Sequence, residues 1–140
     1  MNYSSALHIE NIGVLSVETE IKVTTYDIDI ADHVNNIVYL RWLEDLRNLL
    51  FSRMCPLDKM LELNYYPVVA HTEMKYKKQI TLFDKPIGKI IVDKYSHGVI
   101  VLYAEIRLED TIVFTSTQKC VLMNLTTKRM YKGRIDELLK

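Results

Sequence analysis

The sequence predicts an α+β fold in which an antiparallel sheet wraps around one long helix. Two changes of hydrophobic period carry that reading. From Asn35 to about Met54 the apolar residues recur at three and four, with no Gly or Pro inside; from Val68 onward they alternate. The order completes it: one strand, one helix, then a meander of strands.

The first strand is expected over Glu18 to Tyr26. Ile21, Val23 and Thr25 share one face, Glu20, Lys22 and Thr24 the other, and Tyr26 closes it. A polar hinge, 27–33, leads into the helix, for which Asp32 and Asn35 are both suitable N-caps. Within the helix Tyr39, Leu43, Leu46 and Leu50 form the central stripe. Ile37, Val38, Leu40, Trp42, Leu49 and Phe51 widen it so far that the helix is expected to be enclosed. Arg41 with Asp45, or Glu44 with Arg47, can pair along it. Cys55-Pro56 marks the stop, and 57–66 reads as a loop. Strands follow over Val68–Ile80, Ile87–Ser96, Val99–Leu108 and Ile112–Met123. Tight turns are expected at His97-Gly98 and Glu109-Asp110.

With 140 residues, 49% hydrophobic and 26% charged, the chain has matter for one core and one wet surface. The reading is a single domain over 1–140, with a lead-in without period over 1–16, a core over about 18–124 and a tail over 125–140. No apolar run approaches the roughly 18 residues of a membrane helix, and no basic and apolar leader opens the chain, so a cytoplasmic protein is expected. Cys55 and Cys120 do not cluster with histidine as zinc ligands do and read as buried or idle thiols; no metal is expected.

Eighteen basic and eighteen acidic residues give a formal charge of zero, which argues against a general nucleic-acid binder. The distribution is uneven. Between Glu10 and Asp45 there are eight acids against Lys22 and Arg41. Between Lys75 and Lys94 six lysines face only Asp84 and Asp93, and Lys128 to Arg134 holds four bases and no acid. Solvated strand faces and an ordinary tail account for this; so does a basic side that receives a small anion or an acidic partner.

The densest chemistry is the run Tyr26-Asp27-Ile28-Asp29-Ile30-Ala31-Asp32-His33-Val34-Asn35-Asn36-Ile37-Val38-Tyr39. The first turn of a helix leaves backbone N–H groups unpaired at the positive end of its dipole, where they can hold a carbonyl oxygen as it becomes an oxyanion. A carboxylate in the preceding loop can attack that carbonyl or activate a water beside it, and a neighbouring histidine can orient either. The same residues also fit a capped helix whose acids complement its dipole. His71, His97 and Asp110 read as strand-face and turn residues, and His8 lies in the lead-in.

The segment Asp27-x-Asp29-x-x-x-His33-Val34-Asn35-Asn36-x-x-Tyr39, continued by Leu43-Glu44-Asp45-x-Arg47, resembles the signature of hotdog-fold thioesterases. It is most similar to the 4-hydroxybenzoyl-CoA thioesterase-like branch, with the plant acyl-ACP thioesterases. Met74-Lys75-Tyr76-Lys77-Lys78-Gln79 with Phe83-Asp84 resembles the family's second-strand segment. The resemblance implies a hotdog fold and a catalytic carboxylate at Asp29, with Asp27 bracing the loop. It implies that the backbone N–H seven residues on, at Asn36, polarises the thioester carbonyl. His33 and Asn35 would orient water or substrate. Tyr39, an anchor of the helix, would contribute to substrate binding with Gln79, Lys77 and Lys78. Where plant members carry an asparagine two residues after the acid this chain has Ala31, Gln79 stands near their downstream acid, and Asp32 replaces the usual small residue before the histidine. Glu44 is expected to serve a structural pair with Arg47.

The implied reaction is hydrolysis of an acyl thioester of coenzyme A or of acyl carrier protein, without a cofactor. The implied assembly is a homodimer or homotetramer with sites at the subunit interface. The basic segments would meet coenzyme A phosphates or an acidic carrier; neither a nucleic acid nor a membrane is an expected partner. A noncatalytic acyl-thioester-binding hotdog, or a hotdog hydratase or dehydratase, is the alternative.

Overall fold

The structure is a computed structural model that describes residues 15–134. Most of the expected lead-in, with His8 and Glu10, and the tail beyond Arg134 lie outside the described residues. The elements in order are β1 (Ser16–Glu20), a single 3₁₀ turn (Thr25–Asp27), α1 (Val38–Ser52), α2 (Leu57–Glu62), β2 (Tyr65–Tyr76), β3 (Ile87–Ser96), β4 (Val99–Leu108) and β5 (Thr111–Asn124). All pairings are antiparallel, and the sheet order is β1-β3-β4-β5-β2. Hence β1 and β2 are the two edges and β4 is central.

Alternation makes the sheet one-sided where it meets the helix. On β4, Ile100, Leu102, Ala104 and Ile106 are buried; on β3, Ile90 and Val92 are, and on β5, Phe114, Cys120 and Leu122. Against them α1 places Val38, Tyr39, Trp42, Leu43, Leu46, Leu50 and Phe51, all in one core with the strands. The contact is close at Gly88 on β3. A Cβ there would stand 2.7 Å from Ile21 Cδ1 and 3.2 Å from Leu46 Cδ1, so the absent side chain is what lets the helix settle on the sheet. The fold is the expected α+β hotdog, a long helix packed in a curved antiparallel sheet.

The strands β3 and β4 have the expected bounds, and β5 gains one residue at each end. At their hairpin His97 and Gly98 both take left-handed φ, +53° and +85°, as a tight two-residue turn demands. Elsewhere the bounds differ from expectation, each time for a visible reason. β1 runs over Ser16–Glu20 and not to Tyr26, because its partner β3 is preceded by Pro86. Ile21 donates to the Pro86 carbonyl at 2.9 Å, but proline has no N–H to return. The chain then winds into the 3₁₀ turn, where Thr24 N–H reaches Asp27 Oδ2 at 2.9 Å. The regular helix starts at Val38 and not at Asn35, and Ile37 stands at its cap position without a side-chain bond. Asp32 caps nothing. Asn35 serves the preceding turn, its Oδ1 accepting from Ile37 N–H at 2.9 Å and its carbonyl from Val38 N–H at 2.9 Å.

The expected loop at 57–66 contains α2, opened by Pro56 and anchored by buried Met60. β2 starts earlier, at Tyr65, and ends at Tyr76 instead of Ile80: Lys77 and Lys78 both donate to the Val113 carbonyl, at 2.8 and 3.1 Å, and the strand peels away. The helix is also less enclosed than its composition suggests, since Ile37, Leu40 and Leu49 are exposed on the face away from the sheet. Its cations find tertiary partners instead of helical ones. Arg41 meets Asp27, and Arg47 donates to Gln118 Oε1 at 2.8 Å, so neither the Arg41–Asp45 nor the Glu44–Arg47 pair forms.

Both thiols are buried, and burial pushes the Cys120 pKa up to about 11. Among the described residues no helix is long and apolar enough to cross a membrane.

Gly88→Val should destabilise the fold by about 1–3 kcal/mol through overpacking between Ile21 and Leu46. A lowered urea midpoint with an unchanged slope is the expected result.

Candidate active site

A cleft of about 510 Å³ opens where the loop before α1 faces the stretch leaving β2. The first wall is made by Asp29, Ala31, His33, Val34, Asn35, Asn36 and Tyr39, the second by Tyr76, Lys77, Lys78 and Gln79. Every residue singled out from the sequence for catalysis or substrate binding therefore lines one cavity, although the two walls lie some forty positions apart in the chain.

Backbone hydrogen bonds shape the first wall. Asp29 N–H donates to the His33 carbonyl, Asn35 N–H to the Asp27 carbonyl, and Val34 N–H to the Ile80 carbonyl, at 3.0, 2.9 and 2.8 Å. Within the loop Asp29-Ile30-Ala31-Asp32 forms a turn closed by Asp32 N–H on the Asp29 carbonyl at 3.0 Å. Asp32 pays for the tightness with a left-handed φ of +67°, a region open mainly to Gly, Asn and Asp. Tied this way, the hinge has little freedom to move its side chains.

The two acids of the D-x-D pair differ in setting. Asp27 is buried, and its carboxylate accepts Thr24 N–H at 2.9 Å and meets Arg41 Nη1 at 3.4 Å. It braces the loop and does not line the cleft. Asp29 is half-buried in the wall. Its Oδ1 accepts Ala31 N–H at 2.9 Å, and Oδ2 has no hydrogen-bond partner among the described residues. One oxygen is held and the other is unengaged among the described residues, in a side chain that lines the cleft, which suits a base or a nucleophile. His33 is half-buried beside it.

At the helix start, Ile37 and Val38 N–H groups are taken by Asn35, whereas Asn36 N–H has no hydrogen-bond partner among the described residues. A peptide N–H at the positive end of a helix can hold a partial negative charge. The floor is aromatic: Tyr39 stacks on Phe114 at 4.6 Å and meets Trp42 and Tyr76 edge-on at 5.2 and 5.0 Å. Burial pushes the Tyr39 phenol up to about 12, so its hydroxyl is a neutral donor at any working pH. Lys77, Lys78 and Gln79 are exposed at the mouth.

A model of the Thioesterase-like superfamily matches residues 23–137. The chain belongs to that superfamily. Solved structures similar to this thioesterase-like chain include a DHNA-CoA thioesterase from Staphylococcus aureus, at 23% identity over 87% of this chain and 82% of that one, TM-score 0.77. Another is the probable thioesterase YbaW from Escherichia coli, at 25% identity over 87% and 95%, TM-score 0.73. A third is the S. aureus protein SAV2348 in complex with CoA, at 17% identity over 90% and 78%, TM-score 0.77. No curated protein matches the sequence.

One residue of this thioesterase-like cleft, Tyr76, and one that braces the loop behind it, Arg41, are not singled out by the sequence. Tyr76 lines the cleft and donates its hydroxyl to the Asn36 carbonyl at 3.2 Å. Its place on the Thr72–Met74 face of β2 was the available signal, but a strand period does not say which residue ends opposite a helix start. Arg41, the partner of Asp27, was assigned to a helical pair instead.

Asp27→Ala should cost about 1–3 kcal/mol, since it strips a buried acceptor from Thr24 N–H. Arg41→Ala should cost under about 1 kcal/mol, because the side chain is half-exposed and its contact long. Thermal unfolding of the two variants checks the order.

Proposed function

We propose that the protein hydrolyses an acyl thioester of coenzyme A, with Asp29 as nucleophile or general base and the Asn36 amide polarising the thioester carbonyl. The observation that carries this is the pairing, in one cleft, of a carboxylate Oδ2 and a helix-start N–H that both lack a hydrogen-bond partner among the described residues. A carbonyl placed between them would have its oxygen on the amide and its carbon open to attack.

In the general-base route Asp29 takes a proton from water as the water oxygen adds to the carbonyl carbon. The tetrahedral oxyanion is held by Asn36 N–H, and collapse breaks the C–S bond to give the carboxylic acid and the thiol. In the nucleophilic route the Asp29 oxygen adds first, the thiol leaves, and water opens the resulting anhydride. His33 and Asn35 orient water or substrate beside the acid. Tyr39 offers a neutral hydroxyl from the floor, and Gln79 a polar contact at the mouth.

Lys77 and Lys78, at the mouth, would take the phosphates. The names of similar structures support a CoA thioester over an acyl carrier: one is a DHNA-CoA thioesterase, one a gentisyl-coenzyme A thioesterase and one holds CoA. We also propose a homodimer or homotetramer. β2 has a strand on one side only among the described residues, so its outer edge offers a ladder to a second copy beside the cleft.

Asp29→Asn should lower hydrolysis of acyl-CoA by about 10²–10⁴-fold while leaving binding of a non-hydrolysable thioether analogue intact. Full activity in that variant would overturn the assignment, and tight binding with no thiol release by the native protein would mark a noncatalytic binder. Incorporation of solvent oxygen into Asp29 during a single turnover separates the two routes.

Replacing Lys77 and Lys78 together by alanine should raise KM for acyl-CoA roughly three- to tenfold at low salt, and less at high salt. KM for the matching acyl-pantetheine, which lacks the nucleotide phosphates, should be unchanged.

A further inference from the structure

The peptide joining Asn36 to Ile37 is held from both sides. Its N–H, from Ile37, goes to Asn35 Oδ1 at 2.9 Å, and its carbonyl, from Asn36, accepts the Tyr76 hydroxyl at 3.2 Å. The peptide before it, joining Asn35 to Asn36, is held by its carbonyl, which accepts Val38 N–H at 2.9 Å. In a trans peptide the C=O and N–H point in opposite directions. A carbonyl committed to the helix therefore turns the Asn36 N–H outward from the helix start.

Two of these three restraints are local, made within the segment 35–38. The third comes from the opposite wall. Tyr76 ends β2, and its ring is set by packing against Tyr39, edge-on at 5.0 Å, and Phe114, tilted at 5.3 Å. Ring packing thus delivers the hydroxyl to the Asn36 carbonyl, the closer of its two acceptors, with Met74 Sδ at 3.5 Å. Burial pushes the Tyr76 phenol up, so it stays protonated and stays a donor.

We infer that Tyr76 is a positioning residue for the reaction: its hydroxyl, by holding the Asn36 carbonyl, anchors the peptide that follows the Asn36 N–H. Asn36 is thereby pinned on both sides, and its N–H keeps its place relative to Asp29. The inference rests on the role proposed above for the Asn36 amide. It ties the residue that carries the amide on one wall to the strand that leads into the other, a second link beside the Val34–Ile80 bond. A misplacement of the order of 1 Å in such a donor is enough to cost a large part of its effect.

The test is Tyr76→Phe, which keeps the ring and removes the bond, assayed beside Asp29→Asn on one acyl-CoA below both unfolding transitions. The expected result is a kcat lowered about tenfold with KM within about twofold of wild type. Amide hydrogen exchange should be faster at Ile37 and Val38 and unchanged in β4. If Tyr76→Phe keeps its kcat while Asp29→Asn loses activity, the inference fails and the proposed reaction stands. If both variants keep full activity, the proposed reaction fails first and takes the inference with it. A raised KM at unchanged kcat would make Tyr76 a substrate contact instead, and equally overturns the positioning role.

Discussion

Val34 donates its backbone N–H to the Ile80 carbonyl, and with that bond the segment before the helix is joined to the segment leaving β2. The neighbouring bonds, Asn35 to Asp27 and Asp29 to His33, only close the loop on itself. Without the Ile80 contact the loop would be joined to that wall only by the longer bond from the Tyr76 hydroxyl to the Asn36 carbonyl. With it, both walls of the cleft belong to one frame, because β2 is laced to β5 and the helix lies on β3 through Gly88. The side chains at issue are short, Asp29 above all. A short side chain transmits whatever position its backbone has, so the accuracy of the site is the accuracy of this lacing.

The acidic excess of the first third of the chain resolves into distinct roles. Asp27 is spent internally on Thr24 and Arg41, and Glu18 lies on the outer edge, where a hydrogen bond from Arg107 at 2.6 Å holds its pKa below the ordinary carboxylate value. Among the described acids of this group, Asp29 alone combines a held oxygen with an unengaged one in a residue that lines the cleft. The basic excess divides too. Lys77 and Lys78 stand at the cleft, while Lys128 sits 5.9 Å from the ring centre of Tyr66. A net charge of zero is thus compatible with a site that has an acid in one wall and cations in the other.

Much of this was legible in the sequence, and where it was not the obstacle is specific. β3 and β4 could be read to the residue because the His97-Gly98 turn marks where they meet, even though their register shifts between Val92 and Lys94. β1 could not, since its end is set by Pro86, a residue some sixty positions away that lies opposite only in the fold. α2 escaped because six residues are too few to show a helical period. The helical ion pairs failed because spacing names candidates, not winners: Asp27 and Gln118 arrive from other elements at better places. The cleft was half legible. Its first wall is contiguous, so a motif can record it, and Lys77, Lys78 and Gln79 could be placed opposite it only through the family resemblance. Tyr76 went unremarked because its role is a bond to a backbone carbonyl, which leaves no mark in residue type.

Asp32 closes the turn beside Asp29 with a φ of +67°. Few residues live there without cost, and β-branched ones are effectively shut out. The position is therefore a bottleneck for sequence drift. Neutral substitution can wander freely over exposed Ile30, but at Asp32 the chain exchanges most cheaply among Asp, Asn and Gly. Those three differ in charge and stiffness while sharing one backbone shape. A lineage could thus retune the field and the suppleness around the acid at this one point, and keep the spacing from carboxylate to amide intact.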